Sequence, residues 1–329
     1  MTEPVRWGVL GGANIAVEKV IPAMRSSELS RVVAIASRTG ERAAEVAAAL
    51  GIPTAHTGYE RLLSDPDVEA VYIPLPNHLH AEWAIAAARA GKHVLCEKPL
   101  ATTSSDARAM VAAADDAGVK LMEAFMYRLH PLWVAAKGLV DDGSIGEVMA
   151  VQSFFSYRNT DPADIRNIAE FGGGALFDIG CYPVNAARLI FGSEPSRVVS
   201  AVHRLSPSGT DVLTSALLDF NGRHATFTCS TVLESDQRVE IVGTAGRLVV
   251  EIPFNIPPDR ATRLLQVSGG EPPAAPGIQV HEFAVADQYA IQADAFSRAI
   301  REETPVPTPP TDAVANLEVL EAIFEEASH

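Results

Sequence analysis

Through the first third of the chain, short apolar runs alternate with stretches whose apolar residues recur every three or four positions. VRWGVLG (5–11) reads as a strand and leads into a helix from about Ile15 to Ser26. SRVVAIASR (30–38) is a second strand, and GERAAEVAAAL (40–50) has the spacing of an amphipathic helix. A short helix at YERLLSD (59–65) and a strand at VEAVYIPLP (68–76) follow. HLHAEWAIAAARAG (78–91) is a helix closed by Gly91, HVLCEKP (93–99) a strand, SSDARAMVAAADDAG (104–118) a helix and KLMEAFM (120–126) a strand. These strands are mostly apolar, as strands covered on both faces tend to be. With helices of ten or more residues between them, they predict an α/β domain with a doubly wound parallel sheet.

After about residue 127 the texture changes. A helix at 132–142 precedes a long strand, EVMAVQSFFSYR (147–158), and another helix starts near Gly174. Beyond residue 196 come RVVSAVHRL, DVLTSALLDF, HATFTCSTVL, RVEIVG, GRLVVEI and RLLQVSG, with Asn221-Gly222 and Ala245-Gly246 suited to tight turns. This pattern predicts a mostly antiparallel sheet. Residues 286–301 are helical again, ETPVPTPPT (303–311) is a connector, and a last helix spans about Asp312 to Ala327. The expected division is a parallel α/β domain at 1–126, an α+β domain at 127–311, and a C-terminal helix at 312–329 packing back near the first domain.

Composition narrows the function. At 329 residues the chain exceeds what one core usually serves. A formal net charge of -15 repels phosphate backbones, so no nucleic-acid partner is expected. No run of 18 apolar residues exists and the N-terminus lacks a secretory signal pattern, so no membrane span and a cytoplasmic location are expected. Cys96, Cys181 and Cys229 are widely spaced and read as buried thiols without metal-ligand spacing, and no metal is expected.

The strand, turn and helix at 5–25 invite a dinucleotide. The usual G-x-G-x-x-G fingerprint is degenerate here: Gly11, Gly12, Ala13, Asn14, Ile15, Ala16. Gly11 allows the tight turn, Ala13 lets the backbone approach a pyrophosphate, and the N–H groups at the helix start face that anion. A turn serving packing alone competes, but the repeated strand–helix pattern favours the cofactor and a Rossmann domain. The second strand ends in Ser37-Arg38-Thr39 rather than in the Asp or Glu that holds a free ribose 2′-hydroxyl. A hydroxyl and a guanidinium suit a 2′-phosphate, with Arg42 assisting, so NADP(H) is expected ahead of NAD(H). A solvated arginine at a helix start is the alternative for Arg38.

Ligands of parallel sheets gather beyond the carboxyl ends of the strands. Pro74, Leu75, Asn77 and His80 follow one such end and Glu97 and Lys98 another, so all six are expected near the cofactor. For His80, as for His78, helix capping is an equal alternative. Pro99 holds Lys98 extended. Farther on, GGGALFDIGCYP (172–183) places Asp178 and Tyr182 on one helical face. Pro183 has no N–H and opposes the carbonyl of Ile179, so a kink or widened turn is predicted. Either residue alone is as well a core aromatic or a structural acceptor; with the glycines and the kink they point to a site. Arg166 and Tyr157 join them as candidate substrate contacts, with Phe154 and Phe155 on the same strand as Tyr157. Glu123 and Arg128 suit either a salt bridge or a pocket.

On the Gly11–Ala16 turn, PNHLHAEWAIAAARAGKHVLCEKPLA, MEAFMYRLHP and GGGALFDIGCYP, the chain resembles the glucose-fructose oxidoreductase / inositol dehydrogenase / MocA family over essentially its full length. The resemblance implies a Rossmann domain followed by an open antiparallel sheet that often serves as an oligomer interface, hence a homodimer or homotetramer. It implies that Lys98 binds and polarises the reacting sugar oxygen and that Asp178 lies by substrate or cofactor. Tyr182 stands where inositol dehydrogenase-like members carry His, which places the chain nearer the xylose dehydrogenase, dihydrodiol dehydrogenase and sugar ketoreductase branches. The expected activity is NADP-dependent hydride transfer at a sugar hydroxyl or keto carbon, with Tyr182 as acid/base, Lys98 as electrostatic partner and Asp178 orienting substrate. Lys98 as the proton relay stays open. A non-catalytic NADP-binding sensor and a trans-dihydrodiol dehydrogenase are the alternatives.

Overall fold

The computed structural model describes residues 3–269 and 277–328 and divides the chain into two compact units. The first takes the chain up to Met126 together with Tyr289–Val314; the second takes Tyr127–Gln288 and the chain from Ala315.

In the first unit, strands β1 (Val5–Leu10), β2 (Ser30–Ser37), β3 (Thr54–Thr57), β4 (Ala70–Ile73), β5 (His93–Cys96) and β6 (Leu121–Glu123) form one sheet in the order β3-β2-β1-β4-β5-β6, every pair parallel. Buried apolar side chains from β1, β2 and β4 form the core with Ala16, Val20 and Met24. The helix Gln288–Arg301 adds Ala293, Phe296 and Ile300 to that core. Phe296 lies 5.6 Å from Trp7 between ring centroids, and Trp7 Nε1 donates to Ser297 Oγ at 3.2 Å. Burying each such ring contributes about 1.5–3 kcal/mol. Arg301 closes the arrangement, donating to the carbonyls of Glu3 and Pro4 and to both carboxylate oxygens of Glu69.

The second unit holds β7 (Val148–Arg158), β8 (Arg197–Leu205), β9 (Asp211–Asp219), β10 (His224–Ser230), β11 (Val232–Gly243), β12 (Gly246–Val250), β13 (Thr262–Ser268) and β14 (Gly277–Phe283). Their order is β14-β13-β12-β11-β7-β10-β9-β8, antiparallel except for β10 beside β7. The segment Leu176–Phe191 packs against β7, β9 and β10. Phe154, Val202, Leu217, Arg238 and Glu240 line a depression on the sheet, where the Arg238 guanidinium stands 4.7 Å from the Phe154 ring centroid.

The C-terminal segments differ from the expected division. Residues 289–314 belong with the first unit, because their helix presents Ala293, Phe296 and Ile300 to β1. The last helix, Pro310–Ala327, belongs from Ala315 onward with the second unit. There Phe324 meets Phe177 at 5.3 Å and Asn316 donates to the Cys181 carbonyl. The strands β3 and β14 were not foreseen. Among the described residues no helix is long and apolar enough to cross a membrane.

Candidate active site

In the first unit the sheet order reverses between β1 and β4, and the carboxyl ends of β1, β2, β4 and β5 carry the predicted cofactor residues. Gly11 has φ +111°, which glycine adopts without strain, and a Cβ there would stand 3.0 Å from Leu75. The helix begins at Asn14 and widens into a π turn at Ala16–Val20. Thr39 caps the helix Gly40–Leu50, and Arg42, two residues into it, reaches back to the Gly12 carbonyl at 3.2 Å while pairing with Glu45 at 2.9 Å. Arg38 is exposed at the tip of β2, close enough to Tyr59 for its charge to oppose the rise that burial imposes on that phenol. An exposed guanidinium, a second one tethered at the glycine turn and the half-buried Ser37 fit a phosphorylated dinucleotide.

The strand β5 delivers Glu97 and Lys98, and the Lys98–Pro99 peptide is cis. Glu97 is braced rather than presented: Tyr72, buried in β4, donates its hydroxyl to Glu97 Oε1 at 2.7 Å, and the Lys98 amide lies 3.3 Å from Oε2. Burial, then the Glu97 charge, pushes the Tyr72 phenol well above its ordinary value, so it stays a donor. Tyr72 escaped the sequence reading, although a lone hydroxyl in AVYIP was its signal. Glu123 is also buried and accepts the Leu100 amide at 2.7 Å.

His80 corrects the sequence reading. It is fully buried, with Nδ1 2.9 Å from the Pro99 carbonyl and Nε2 2.7 Å from that of Leu75. Burial lowers its pKa, against the pull of the two carbonyls. Its ring therefore sits between the loop after β4 and the loop after β5, with both nitrogens facing backbone rather than a cofactor. Pro74 and Leu75 are buried beside it, while Asn77 begins a short 3₁₀ turn, Asn77–Leu79.

In the second unit the predicted widening before Pro183 is present as a π turn, Leu176–Gly180, followed by the helix Cys181–Phe191. Gly174, at φ +122°, brings the chain so close to Asp211 that a Cβ would lie 2.1 Å from its Oδ1. The other oxygen of Asp211 accepts the Leu176 amide at 2.8 Å and the Thr214 hydroxyl at 2.7 Å. Asp211 thus anchors the start of the site-bearing helix, a role the sequence reading missed.

Asp178 accepts the Tyr157 hydroxyl at 2.5 Å and pairs with Arg166 Nε at 3.4 Å; Arg166 Nη1 also meets Asp164 Oδ1 at 3.3 Å. Burial, then the Asp178 charge, raises the Tyr157 pKa, and Asp178 foremost raises that of Arg166. Tyr157 is therefore a neutral donor and Arg166 a fixed cation. Tyr182 lies among rings, 5.1 Å from Phe254, 5.7 Å from Phe155 and 5.9 Å from Tyr127. Tyr127 donates to Asn185 at 2.6 Å, with Arg128 Nη1 3.5 Å from the same oxygen. Phe154 does not join them: the pleat sends it toward Arg238, away from Phe155.

Two family models match this chain. The oxidoreductase family model with an NAD-binding Rossmann fold (GFO/IDH/MocA) matches residues 5–125, and the GFO/IDH/MocA C-terminal domain model matches 133–249. An uncharacterized oxidoreductase of Rhizobium meliloti is 47% identical over 98% of this chain and 97% of its own. A D-xylose 1-dehydrogenase (NADP(+)) of Haloferax volcanii is 41% identical, with 98% and 97% covered. The crystal structure of a 3-ketoreductase from Actinomadura kijaniata, in complex with NADP and TDP-benzene, superimposes with a TM-score of 0.90 at 34% identity, covering 98% of each chain. In sequence and in fold, this chain belongs to the GFO/IDH/MocA family of oxidoreductases.

Proposed function

We propose that this protein is an NADP-dependent oxidoreductase acting at a hydroxyl or keto carbon of a sugar or sugar derivative. The observation that carries this reading is the placement of Lys98 directly after β5, one strand from the point where the sheet order reverses, on a loop braced by Tyr72 and His80. Xylose dehydrogenase and ketoreductase relatives support the substrate class, and their NADP supports the cofactor.

Bound nicotinamide supplies the hydride acceptor or donor. Arg38 and Arg42 hold the 2′-phosphate, and the Gly11–Asn14 turn approaches the pyrophosphate. Tyr182 moves the proton at its phenol oxygen, and the Lys98 ammonium stabilises alkoxide character on the reacting oxygen. Asp178, held by Tyr157 and Arg166, orients sugar hydroxyls. The face bearing Phe154 and Arg238 is the proposed contact in a homodimer or homotetramer, and a cytoplasmic location is proposed with it.

The test is fluorescence titration with NADP and NAD, followed by steady-state rates on an aldose and keto-sugar panel for wild type and Tyr182→Phe. NADP preference with a loss of about 10²-fold or more in kcat for the variant is expected. Near-wild-type rates across pH for Tyr182→Phe, or a preference for NAD, refute the corresponding assignments.

A further inference from the structure

Arg166 is a basic side chain beside Asp178, and two carboxylates flank its guanidinium. Asp164 accepts the Arg166 backbone amide at 2.9 Å as the cap of the 3₁₀ turn Ile165–Asn167, so its carboxylate is fixed where the guanidinium lies. Nη1 meets Asp164 Oδ1 at 3.3 Å and Nε meets Asp178 Oδ1 at 3.4 Å, and the Asp164 and Asp178 side chains are 26% and 13% exposed. Residues 158–178 as a whole carry Asp161, Asp164, Glu170 and Asp178 against Arg158 and Arg166. One guanidinium shared between two carboxylates has no net positive charge to offer a phosphate. It does have N–H donors beyond the two carboxylate oxygens it meets, and the carboxylates accept O–H groups. An array of alternating acceptors and donors, completed by the Tyr157 hydroxyl on Asp178, matches the vicinal hydroxyls of an unmodified sugar.

Resting on the reading above, we propose that the substrate is an uncharged sugar, neither phosphorylated nor nucleotide-linked, and that Asp164 is a specificity-determining residue that enforces this by neutralising Arg166 jointly with Asp178. The relatives span both possibilities, a D-xylose dehydrogenase on one side and dTDP-linked keto-sugar reductases on the other.

The test is a comparison of kcat/KM, with saturating NADP or NADPH, for free aldoses, their 6-phosphates and nucleoside-diphosphate sugars, in wild type and Asp164→Asn. Wild type is expected to favour a free aldose over its phosphate by about tenfold or more, since like charges face each other in the wrong complex. Asp164→Asn is expected to narrow that ratio severalfold through a lower KM for the anionic sugar. A wild-type preference for a phosphorylated or nucleotide-linked sugar overturns this proposal while leaving the oxidoreductase reading intact, and it needs no variant to fold. An unchanged ratio in a folded Asp164→Asn overturns the role of Asp164. Tight NADP binding with no turnover of any sugar overturns the reading on which the proposal rests, and the proposal with it.

Discussion

Gly174→Ala perturbs the join between the glycine run and the site-bearing helix, and the structure sets the size of the effect. The residue has φ +122°, and its added Cβ would lie 2.1 Å from Asp211 Oδ1. Forcing an L side chain into that conformation costs about 1–3 kcal/mol. The carboxylate must also withdraw. Asp211 is 3% exposed, and its withdrawal leaves the Leu176 amide and the Thr214 hydroxyl without their acceptor, a further cost of about 1–3 kcal/mol. A total of about 2–6 kcal/mol is a large part of a typical folding stability of about 5–15 kcal/mol. Thermal and urea unfolding of Gly174→Ala, Asp211→Ala and the double variant measure it as a cycle. In the Asp211→Ala background the steric share disappears, so the second substitution is expected to cost only the backbone share, with a coupling of about 1–3 kcal/mol. Strict additivity, or a melting temperature for Gly174→Ala equal to wild type, would refute the anchoring argument.

Phe254→Ala removes a fully buried ring that packs 5.1 Å from both Phe155 and Tyr182 and 5.4 Å from Tyr127, and is expected to lower stability by about 3–5 kcal/mol in urea titrations, with kcat falling alongside as Tyr182 loses its support. Acid sensitivity should trace to Glu69: burial favours its neutral form, but hydrogen bonds from Arg301 and the Arg6 amide outweigh burial and hold its carboxyl below the ordinary 4.5. A depressed folded pKa gives stability that is present above about pH 4.5 and lost as pH falls through the folded value, so Glu69→Gln should flatten that limb in a stability–pH profile. Asp211 runs the other way: burial raises its pKa, so its contribution declines as pH rises from 3.8 through its folded value, and Asp211→Asn should remove that decline.

The parallel sheet was legible because strands covered on both faces are mostly apolar, and β1, β2, β4 and β5 are, with polar residues such as Arg6, Arg31 and His93 near their ends. β3 was not: its residues Thr54–Thr57 alternate between half-buried and exposed on the sheet edge, too short and polar to leave a periodic signal. The two π turns show what local chemistry can reveal. Pro183 lacks the N–H that the Ile179 carbonyl would receive, and the widened turn Leu176–Gly180 answers that lack. The same reasoning applied to Pro22 and the Glu18 carbonyl accounts for the π turn Ala16–Val20 in the helix after β1. Asp211 is a different kind of miss. It lies 35 residues from the amide it accepts, at the start of a strand in another element, where no periodicity or motif marks an aspartate as a helix anchor. His80 shows the same limit from the other side: its position after a strand end suggested a ligand contact, and only the fold reveals that two backbone carbonyls, 5 and 19 residues away, had already claimed both nitrogens. Residues whose partners lie within one turn can be read from sequence; those that join separate loops become visible only when topology brings the loops together.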